Sequence, residues 1–317
     1  MRGPVGETCA TVYLIRLYDH LLQMDGNSQF GDLVERTIYN ALFAAQSPDG
    51  RRLRYFLPLE GPREYFRVDT YCCPCNYRRG VSELPTLVYY RFGAGVAVNL
   101  YTPSQAAIDL AGGVSLKVRQ ETDYPTSGRV VVHLDPSQPA EFPLRLRIPR
   151  WCQKAAVAVN GQAWDKPIAS GAFLTLDREW KAGDRVTLDM PMTWRLVLGR
   201  KMQAGYAAVM RGPIVYCLNP AQNAAIKAMP VGDLKELKID PASMKELPGD
   251  NTVRSGAVVC QVRAECKKPG EGGSAELTLK LTEFPDPDGK CTYFRLTDAK
   301  AAQADELFSV GDGAASR

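Results

Sequence analysis

The segment Tyr71-Cys72-Cys73-Pro74-Cys75-Asn76 contains the residues most suited to chemistry. Two adjacent cysteines precede a proline, and the pattern that follows, Asn76 to Tyr90, predicts a helix. Proline is favoured in the first helical turn because its missing N–H would have no partner there. Free N–H groups and the helix dipole favour a thiolate at such an N-terminus, and both metal binding and nucleophilic attack require a thiolate. The segment therefore indicates a reactive or metal-binding thiol.

A second pair of candidate ligands lies upstream, in Glu7-Thr8-Cys9. Glu7, Cys9, Cys72 and Cys73 together offer one carboxylate and three sulfurs, a set compatible with tetrahedral zinc. The alternative is a group of structural thiols, because free cysteine is among the most buried residue types. The spacing matches no common zinc-finger template, which needs two close pairs. Spacing alone favours structural thiols over a metal site, and both interpretations stay open at this point.

Composition limits the function classes. The 317 residues suffice for two or three domains, and 45% hydrophobic with 23% charged residues is typical of a soluble globular protein. The 39 basic and 35 acidic residues are scattered, which predicts neither a nucleic-acid nor a membrane surface. The start lacks the apolar stretch of a signal peptide, so the default expectation is a cytoplasmic protein. Nine cysteines without an export signal indicate reduced thiols rather than disulfides.

The local patterns change near residue 90. Apolar residues recur at helical spacing over Thr8–Met24 and Phe30–Ala45. Later residues form short apolar or alternating runs separated by turn signals, among them the hairpin dipeptide Asn160-Gly161. The predicted strands are Gly95–Tyr101, Val114–Glu121, Arg129–Leu134, Glu141–Ile148, Ala155–Val159, Ala172–Leu176, Arg185–Met190, Arg195–Leu198, Ala207–Met210, Ile214–Leu218, Ala257–Arg263, Ala275–Leu281 and Thr292–Leu296. Many short strands of this kind are typical of sandwiches rather than of a parallel sheet.

Four sequence motifs resemble glycoside hydrolase family 127, the β-L-arabinofuranosidases and their relatives. In chain order they are Glu7-Thr8-Cys9-Ala10, Cys72-Cys73-Pro74-x-Asn76, Arg178-Glu179-Trp180-Lys181-Ala182-Gly183-Asp184 and Arg211-Gly212-Pro213-Ile214-Val215-Tyr216. The first two are specific, and the resemblance covers nearly the whole chain, weakest after about residue 220. It implies the last part of an (α/α)6 catalytic barrel followed by two β-sandwiches.

The resemblance also implies roles for individual residues. The family's zinc ligands match Glu7, Cys9, Cys72 and Cys73, and its nucleophile matches Cys72. The implied mechanism is retaining: the Cys72 thiolate attacks the anomeric carbon, a thioglycosyl-enzyme forms, and water releases the sugar. The implied partner is a carbohydrate, a terminal L-arabinofuranoside or a related sugar. The sequence does not specify the sugar, the linkage or the oligomeric state.

Two departures from the family limit this transfer. Members usually carry Cys-Cys-Pro-Pro-Asn, whereas Cys75 stands at the second proline here; we interpret it as an inert thiol, with a metal ligand as the alternative. The family's general acid/base glutamate lies upstream of the Glu-x-Cys motif, beyond the start of this sequence. Loss of such an acid typically slows cleavage about 10²–10⁴-fold. Glu60 and Glu64 are interpreted as surface-loop residues, and His20 and His133 as structural or exposed.

The expected organisation is multidomain, α followed by all-β. Residues 1–89 are expected to form the C-terminal part of the (α/α)6 barrel, 90–196 the first β-sandwich, 197–300 the second, and 301–317 a frayed tail. The expected function is that of a β-L-arabinofuranosidase-like glycoside hydrolase, incomplete because the acid/base region is absent. The alternative is a non-catalytic sandwich scaffold or carbohydrate-binding fragment. In a third interpretation a structural zinc clamps the loop Arg67–Asn76 to the first helix.

Overall fold

Helices occupy the first part of the chain and strands the rest. The structure, a computed structural model, describes residues 6–66, 72–249, 251, 253–267 and 274–308. The helices are α1 (Thr8–Asp25), α2 (Ser28–Arg36), α3 (Phe43–Ala45), α4 (Cys72–Glu83) and α5 (Val231–Leu234), with a π-helical turn, Thr37–Leu42, between α2 and α3. No helix in these ranges is both long and apolar enough to cross a membrane.

The strands follow the turn signals of the sequence closely. They are β1 (Tyr89–Phe92), β2 (Gly95–Val98), β3 (Ser104–Asp109), β4 (Ser115–Thr122), β5 (Arg129–Pro136), β6 (Ala140–Ile148), β7 (Ala156–Val159), β8 (Gln162–Ala163), β9 (Ala172–Trp180), β10 (Asp184–Asp189), β11 (Trp194–Leu198), β12 (Ala207–Arg211), β13 (Ile214–Leu218), β14 (Lys238–Ile239), β15 (Lys245–Pro248), β16 (Val258–Lys267), β17 (Ser274–Glu283), β18 (Tyr293–Leu296) and β19 (Ala302–Gln303). Each strand predicted from the sequence is confirmed within a few residues. Six strands were not predicted: β1, β3, β8, β14, β15 and β19. Partly buried and exposed residues alternate along β3, so it shows no apolar run.

The two long helices predicted upstream are confirmed, the second with an internal π turn. The third differs at both ends from the predicted Asn76–Tyr90. It begins at Cys72, so both thiols of the pair lie inside its first turn, and it ends at Glu83. Pro85 explains the early end, because proline lacks the N–H of the helical ladder and disfavours helical backbone in the residue before it. A 3-10 turn, Leu84–Leu87, then leads into β1.

The described residues form two compact units. The first contains the described parts of Met1–Leu14, Arg36–Arg78 and Thr193–Arg317, and the second contains Ile15–Glu35 and Arg79–Met192. The second unit has a four-stranded sheet in the order β1-β2-β6-β9 and a six-stranded sheet in the order β3-β4-β5-β10-β7-β8. In the six-stranded sheet Asn160 and Gly161 connect β7 to β8 with φ of 51° and 83°, as a two-residue hairpin turn requires.

The sheet of the first unit closes on itself. Hydrogen-bonded pairs run β12–β13–β17–β16–β14–β18 and return to β12. Closure depends on β12, whose Ala207 and Ala208 pair with β18 while Met210 and Arg211 pair with β13. The sequence predicts a second sandwich here, and the structure has a closed ring of six strands instead. Strand lengths and turns do not reveal that one strand changes partner along its length.

Two of the family-like motifs are structural. Asn40, in the π turn, donates from Nδ2 to Pro213 O at 2.9 Å and accepts from Val215 N at 2.8 Å, which fixes the helix against the β12–β13 turn. In the other motif Trp180 is fully buried and donates to Phe142 O at 3.0 Å. Gly183, at φ 87°, makes the turn into β10, a conformation that glycine adopts without strain.

The frayed tail predicted from residue 301 is wrong for the part that the structure describes. Ala302 and Gln303 form β19, which pairs in parallel with β11. Asp305 accepts from Arg36 Nη1 at 2.9 Å, and Leu307 is buried. Long-range pairing therefore holds residues whose local composition suggests fraying. Residues 309–317 lie outside the described residues.

Candidate metal and thiol site

The four candidate ligands lie together at the N-terminal ends of two helices. Glu7 immediately precedes α1 and Cys9 is in its first turn, while Cys72 and Cys73 begin α4. Their ligand atoms, one carboxylate oxygen and three sulfurs, all lie within 4.8 Å of one another. We call these four side chains the thiol cluster. The structure thus brings together residues that are more than sixty positions apart in the chain.

A short antiparallel contact positions the Glu7 side of the cluster. Glu7 forms a β-bridge with Phe56, and Thr8 N donates to Tyr55 O at 2.9 Å. On the other side of the bridge Leu57 N donates to Gly6 O at 3.0 Å. Gly6 has φ of 93°, which favours glycine and turns the chain into this pairing. The irregular segment around Phe56 therefore fixes where α1 begins.

The sulfurs face one another directly. Cys9 Sγ lies 3.2 Å from Cys73 Sγ, and Cys73 Sγ lies 3.8 Å from Glu7 Oε1. Asn76, one turn further along α4, donates from Nδ2 to Cys9 Sγ at 3.3 Å. Tetrahedral zinc with Zn–S bonds of about 2.3 Å requires sulfurs roughly 3.8 Å apart. The Cys9–Cys73 separation of 3.2 Å is somewhat shorter than that value, and all four ligand atoms lie within 4.8 Å of one another.

Burial sets the charge state of two of these thiols. Cys9 is 7% exposed and Cys73 is 2% exposed, and desolvation raises the pKa of both. Each is therefore a neutral thiol unless a cation compensates for the buried charge, and a divalent metal does so by replacing the protons. A set of three sulfurs and one carboxylate suits zinc better than a hard cation such as Ca²⁺ or Mg²⁺. The donor set fits zinc.

Cys72 differs from the other two cysteines of the cluster because it is exposed. A sulfur that is to attack a substrate must be reachable, and only Cys72 among the three meets that condition. Cys75, the residue that departs from the family motif, is also exposed and is not in the group of potential metal ligands found among the described residues.

Tyr55 is a site residue that sequence analysis missed. Its hydroxyl hydrogen-bonds to Glu7, and the negative charge of Glu7, with smaller contributions from burial and from Cys72 and Cys73, raises the pKa of Tyr55 to about 12. The phenol therefore remains a hydrogen-bond donor to the carboxylate. A single tyrosine in an irregular segment carries no sequence signal of this role. Asn76 could have been identified from the sequence, because it belongs to the motif of the paired cysteines.

The other polar candidates lie outside the cluster. Glu60 forms an ion pair with Lys235 at 2.8 Å, and Glu64 is exposed, in agreement with the loop roles predicted for both. His20 is exposed on α1. His133 lies in β5 with its Nε2 3.1 Å from Glu121 Oε2. None of these four residues belongs to the candidate metal group in the described ranges.

Comparison with known protein families finds two matches that together cover most of the first two-thirds of the chain. Residues 2–86 match the model described as "Beta-L-arabinofuranosidase, GH127 catalytic domain". Residues 95–192 match "Beta-L-arabinofuranosidase, GH127 middle domain". The thiol cluster lies within the first match.

Individual relatives agree with these matches. The chain is 28% identical over 242 residues to the non-reducing end beta-L-arabinofuranosidase of Bifidobacterium longum subsp. longum, an alignment that covers 69% of this chain and 36% of that protein. The structure of the present chain is similar to that of Ara127N-Se, a GH127 beta-L-arabinofuranosidase from Geobacillus stearothermophilus T6. The TM-score is 0.81 and the identity 26%, with coverage of 92% of this chain and 50% of that one. The GH127 beta-arabinofuranosidase BT3674 gives TM-score 0.80 and 26% identity, with coverage of 94% and 50%. The chain spans about half the length of the solved relatives and about a third of the curated one.

Proposed function

The chain belongs to glycoside hydrolase family 127, and on this premise we propose that it carries the nucleophile and the metal site of a retaining β-L-arabinofuranosidase. The single observation that supports the proposal best is the thiol cluster. Three sulfurs and a carboxylate lie within 4.8 Å of one another, and one sulfur, Cys72, is exposed. Two solved relatives that share the fold are GH127 arabinofuranosidases. The proposed substrate is a terminal L-arabinofuranoside or a related sugar.

Zinc is the proposed cofactor, held by Glu7, Cys9, Cys72 and Cys73. When bound, it keeps the cysteines deprotonated at neutral pH and so makes a thiolate available. Asn76 donates to Cys9 and holds that sulfur in the cluster, while Tyr55 donates to Glu7 and orients its carboxylate. These two contacts fix the cluster from outside, as groups around metal ligands commonly do.

The proposed reaction has two steps at Cys72. Its sulfur attacks the anomeric carbon as the bond to the leaving oxygen breaks, which forms a thioglycosyl-enzyme. Water then attacks the same carbon, and the sugar leaves with retained configuration as the sulfur departs. The buried positions of Cys9 and Cys73 suit them to holding metal, and the exposed position of Cys72 suits it to attack.

Protonation of the leaving oxygen needs a further group. Glu60 is engaged with Lys235 and Glu64 is exposed on the same loop, so neither is a good candidate. Because the chain spans only half of its solved relatives, we propose that the acid/base and most of the sugar pocket belong to the family region upstream of the Glu-x-Cys motif. Without an acid, cleavage is expected to be about 10²–10⁴-fold slower for ordinary glycosides.

The domain assignment is proposed on the same basis. Residues 1–89 would be the end of an (α/α)6 barrel, 90–196 a sandwich formed by the four- and six-stranded sheets, and 197–300 the following β domain. The catalytic-domain match ends at residue 86 and the middle-domain match begins at residue 95, which supports a boundary near residue 90. The third part contains the closed ring of strands, and neither of the two family matches extends into it.

An aryl β-L-arabinofuranoside tests the proposal, because a good leaving group needs little protonation. The zinc-loaded chain should be assayed alone and joined to the upstream helical half of a GH127 relative. We expect the joined protein to release the aryl group, and rapid quenching to show one pentosyl group attached to Cys72. Cys72→Ala should abolish both signals. Cys75→Ser is the matched control, because it removes another exposed thiol of the same helix and should leave both signals intact.

The outcome also separates hydrolysis from a structural role for the metal. If the joined protein folds and binds zinc, yet releases no aryl group and forms no adduct, the hydrolase proposal is wrong. The cluster would then be a structural clamp between the first helix and the segment that begins at Cys72. Residues 67–71 of the loop invoked for such a clamp lie outside the described residues.

A further inference from the structure

Cys75 is an exposed thiol one helical turn from the exposed Cys72. Both lie in the first turn of α4, three positions apart. Cys73, between them, is buried together with Cys9. In the described residues the metal-ligand group includes Cys72 but not Cys75. The helix start therefore presents two accessible thiols, of which the proposed function uses one.

The spacing suits a disulfide. With 1.5 Å rise and 100° rotation per residue on a cylinder of radius 2.3 Å, positions three apart have Cα atoms about 5 Å from each other. Disulfides form across Cα separations of about 4.4–6.8 Å. The S–S bond needs closer Cβ atoms than a regular helix provides, so the first turn must adjust. A first turn adjusts easily because its N–H groups have no partners within the helix, and Pro74 has no N–H at all.

The other pairings open to Cys72 are less favourable. A bond to the adjacent Cys73 would close a small ring that includes a peptide group, and planarity of that group opposes closure. Cys9 and Cys73 are nearly inaccessible to an oxidant in solution. Oxidation is selective for exposed thiols, and a second thiol nearby converts the first product into a disulfide. Cys75 is in that position relative to Cys72.

We propose that Cys72 and Cys75 form a reversible oxidation site, with Cys75 as the resolving thiol. A hydroperoxide oxidises the Cys72 sulfur to a sulfenic acid and is itself reduced, releasing water in the case of hydrogen peroxide. The Cys75 sulfur then attacks the sulfenic sulfur, the S–S bond forms, and the hydroxyl leaves as a second water. A dithiol reductant returns two electrons and two protons and restores both thiols.

The oxidation site has a consequence for the proposed function. A Cys72 sulfur held in a disulfide can neither attack a sugar nor act as a thiolate ligand. This consequence rests on the proposed function, whereas formation of the disulfide does not. Cys75 also prevents further oxidation of Cys72 to the sulfinic acid, which most proteins cannot reverse. The thiol that replaces the family's usual proline would then protect the nucleophile.

Mass spectrometry of the full chain tests the site without reference to activity. The zinc-free and the zinc-loaded chain are treated with hydrogen peroxide, free thiols are alkylated, and the peptide containing residues 72–75 is weighed. We expect wild type to lose two hydrogens from that peptide and to regain them with dithiothreitol. Cys75→Ser and Cys75→Pro should instead gain oxygen atoms at Cys72 that dithiothreitol does not remove. Cys266→Ser, a control in β16, should behave as wild type, and so should Cys73→Ser when both are compared in the zinc-free state.

Two outcomes would overturn the proposal. One is irreversible oxygen gain at Cys72 in wild type to the same extent as in Cys75→Ser. The other is a disulfide that persists in Cys75→Ser, which would assign the bond to Cys9 or Cys73. Failure of the proposed function gives a different result. If wild type forms the Cys72–Cys75 disulfide and the Cys72→Ala variant keeps glycosidase activity, the oxidation site stands and the assignment of Cys72 as nucleophile is wrong.

Discussion

Two polar clusters in this protein, one partly and one fully buried, are built in opposite ways. The thiol cluster, in the first unit, collects three sulfurs and a carboxylate. The second unit contains what we call the arginine cluster: Asp32, Glu35 and Arg147. Arg147 is completely buried and forms ion pairs with Asp32 and, at 2.8 Å, with Glu35. The thiol cluster contains no positive charge, whereas the arginine cluster pairs opposite charges.

The polar groups of the arginine cluster bond to one another and to neighbouring residues. Arg147 Nε donates to Asn99 O at 2.6 Å, so each nitrogen of its guanidinium has a partner. Tyr124 donates to Glu35 Oε1 at 2.8 Å, and Arg150 N donates to Asp32 Oδ2 at 3.0 Å. Donors are matched to acceptors among buried side chains, as buried charges require. The charges of such a cluster compensate one another, so it needs no ligand to balance them.

The four side chains of the thiol cluster, in contrast, include no positive charge. Its sulfurs lie side by side, and burial raises the pKa of Cys9 and Cys73 because no charge in the cluster compensates for a thiolate. A bound cation would supply the charge that thiolates need at these positions. The difference teaches that complementary buried charges indicate a structural role, whereas clustered thiols and a carboxylate without a positive charge indicate a candidate metal site.

The largest expected effect comes from breaking the arginine cluster. Arg147→Met leaves two carboxylates buried without their cation, and we expect it to lower the free energy of unfolding by about 3–5 kcal/mol. Urea denaturation measures this. The triple variant Arg147→Met, Asp32→Asn, Glu35→Gln should recover part of the loss, since it leaves no unpaired charge. Arg129→Ala breaks the exposed pair with Asp189 and should cost at most about 1 kcal/mol.

The second largest expected effect is the pH dependence of stability that Asp32 gives to the arginine cluster. Burial raises its pKa from 3.8 to about 6, with Arg147 acting in the opposite direction. Between these values the folded state holds a proton that the unfolded state has released, so the stability contributed by Asp32 falls as pH rises from about 4 to about 6. We expect wild type to lose up to about 3 kcal/mol over that interval relative to Asp32→Asn. Parallel pH profiles for the two proteins would show that Asp32 does not titrate there.

Zinc should act on the thiol cluster and not on the arginine cluster. We expect purified, reduced wild type to bind close to one zinc by elemental analysis, and zinc at 100 times its dissociation constant to stabilise folding by about 2.7 kcal/mol. Cys9→Ser and Cys73→Ser should lose both effects. Arg147→Met should keep the stoichiometry wherever it remains folded. Equal zinc content in Cys9→Ser and wild type would remove Cys9 from the ligand set.

The smallest expected effect is at Cys75. Cys75→Pro restores the proline that the family usually has and removes an exposed thiol outside the cluster. We expect its zinc content and its free energy of unfolding to match those of wild type within about 0.5 kcal/mol. Loss of zinc in this variant would mean that Cys75 is also a metal ligand.

The sequence predicted most of the secondary structure because its signals are local. Thr8–Asp25 shows helical periodicity, and Asn160-Gly161 forms the hairpin turn that the dipeptide favours. The end of α4 was missed although Pro85 marks it, since the apolar pattern continues past that proline. β3 was missed because half-exposed strands lack an apolar run. The closed ring in the first unit was not predictable, because it depends on a change of partner within β12.

By itself the sequence determined which residues are chemically able to act: the thiols of Cys9, Cys72 and Cys73, the carboxylate of Glu7, and the family to which their motifs belong. Residue types and short spacings carry that information. Only the tertiary structure decided that Cys72 is exposed while Cys9 and Cys73 are buried, and that Tyr55 reaches Glu7. Burial and contact depend on segments far apart in the chain. Those segments meet here because the bridge between Glu7 and Phe56 brings an irregular segment to the start of a helix.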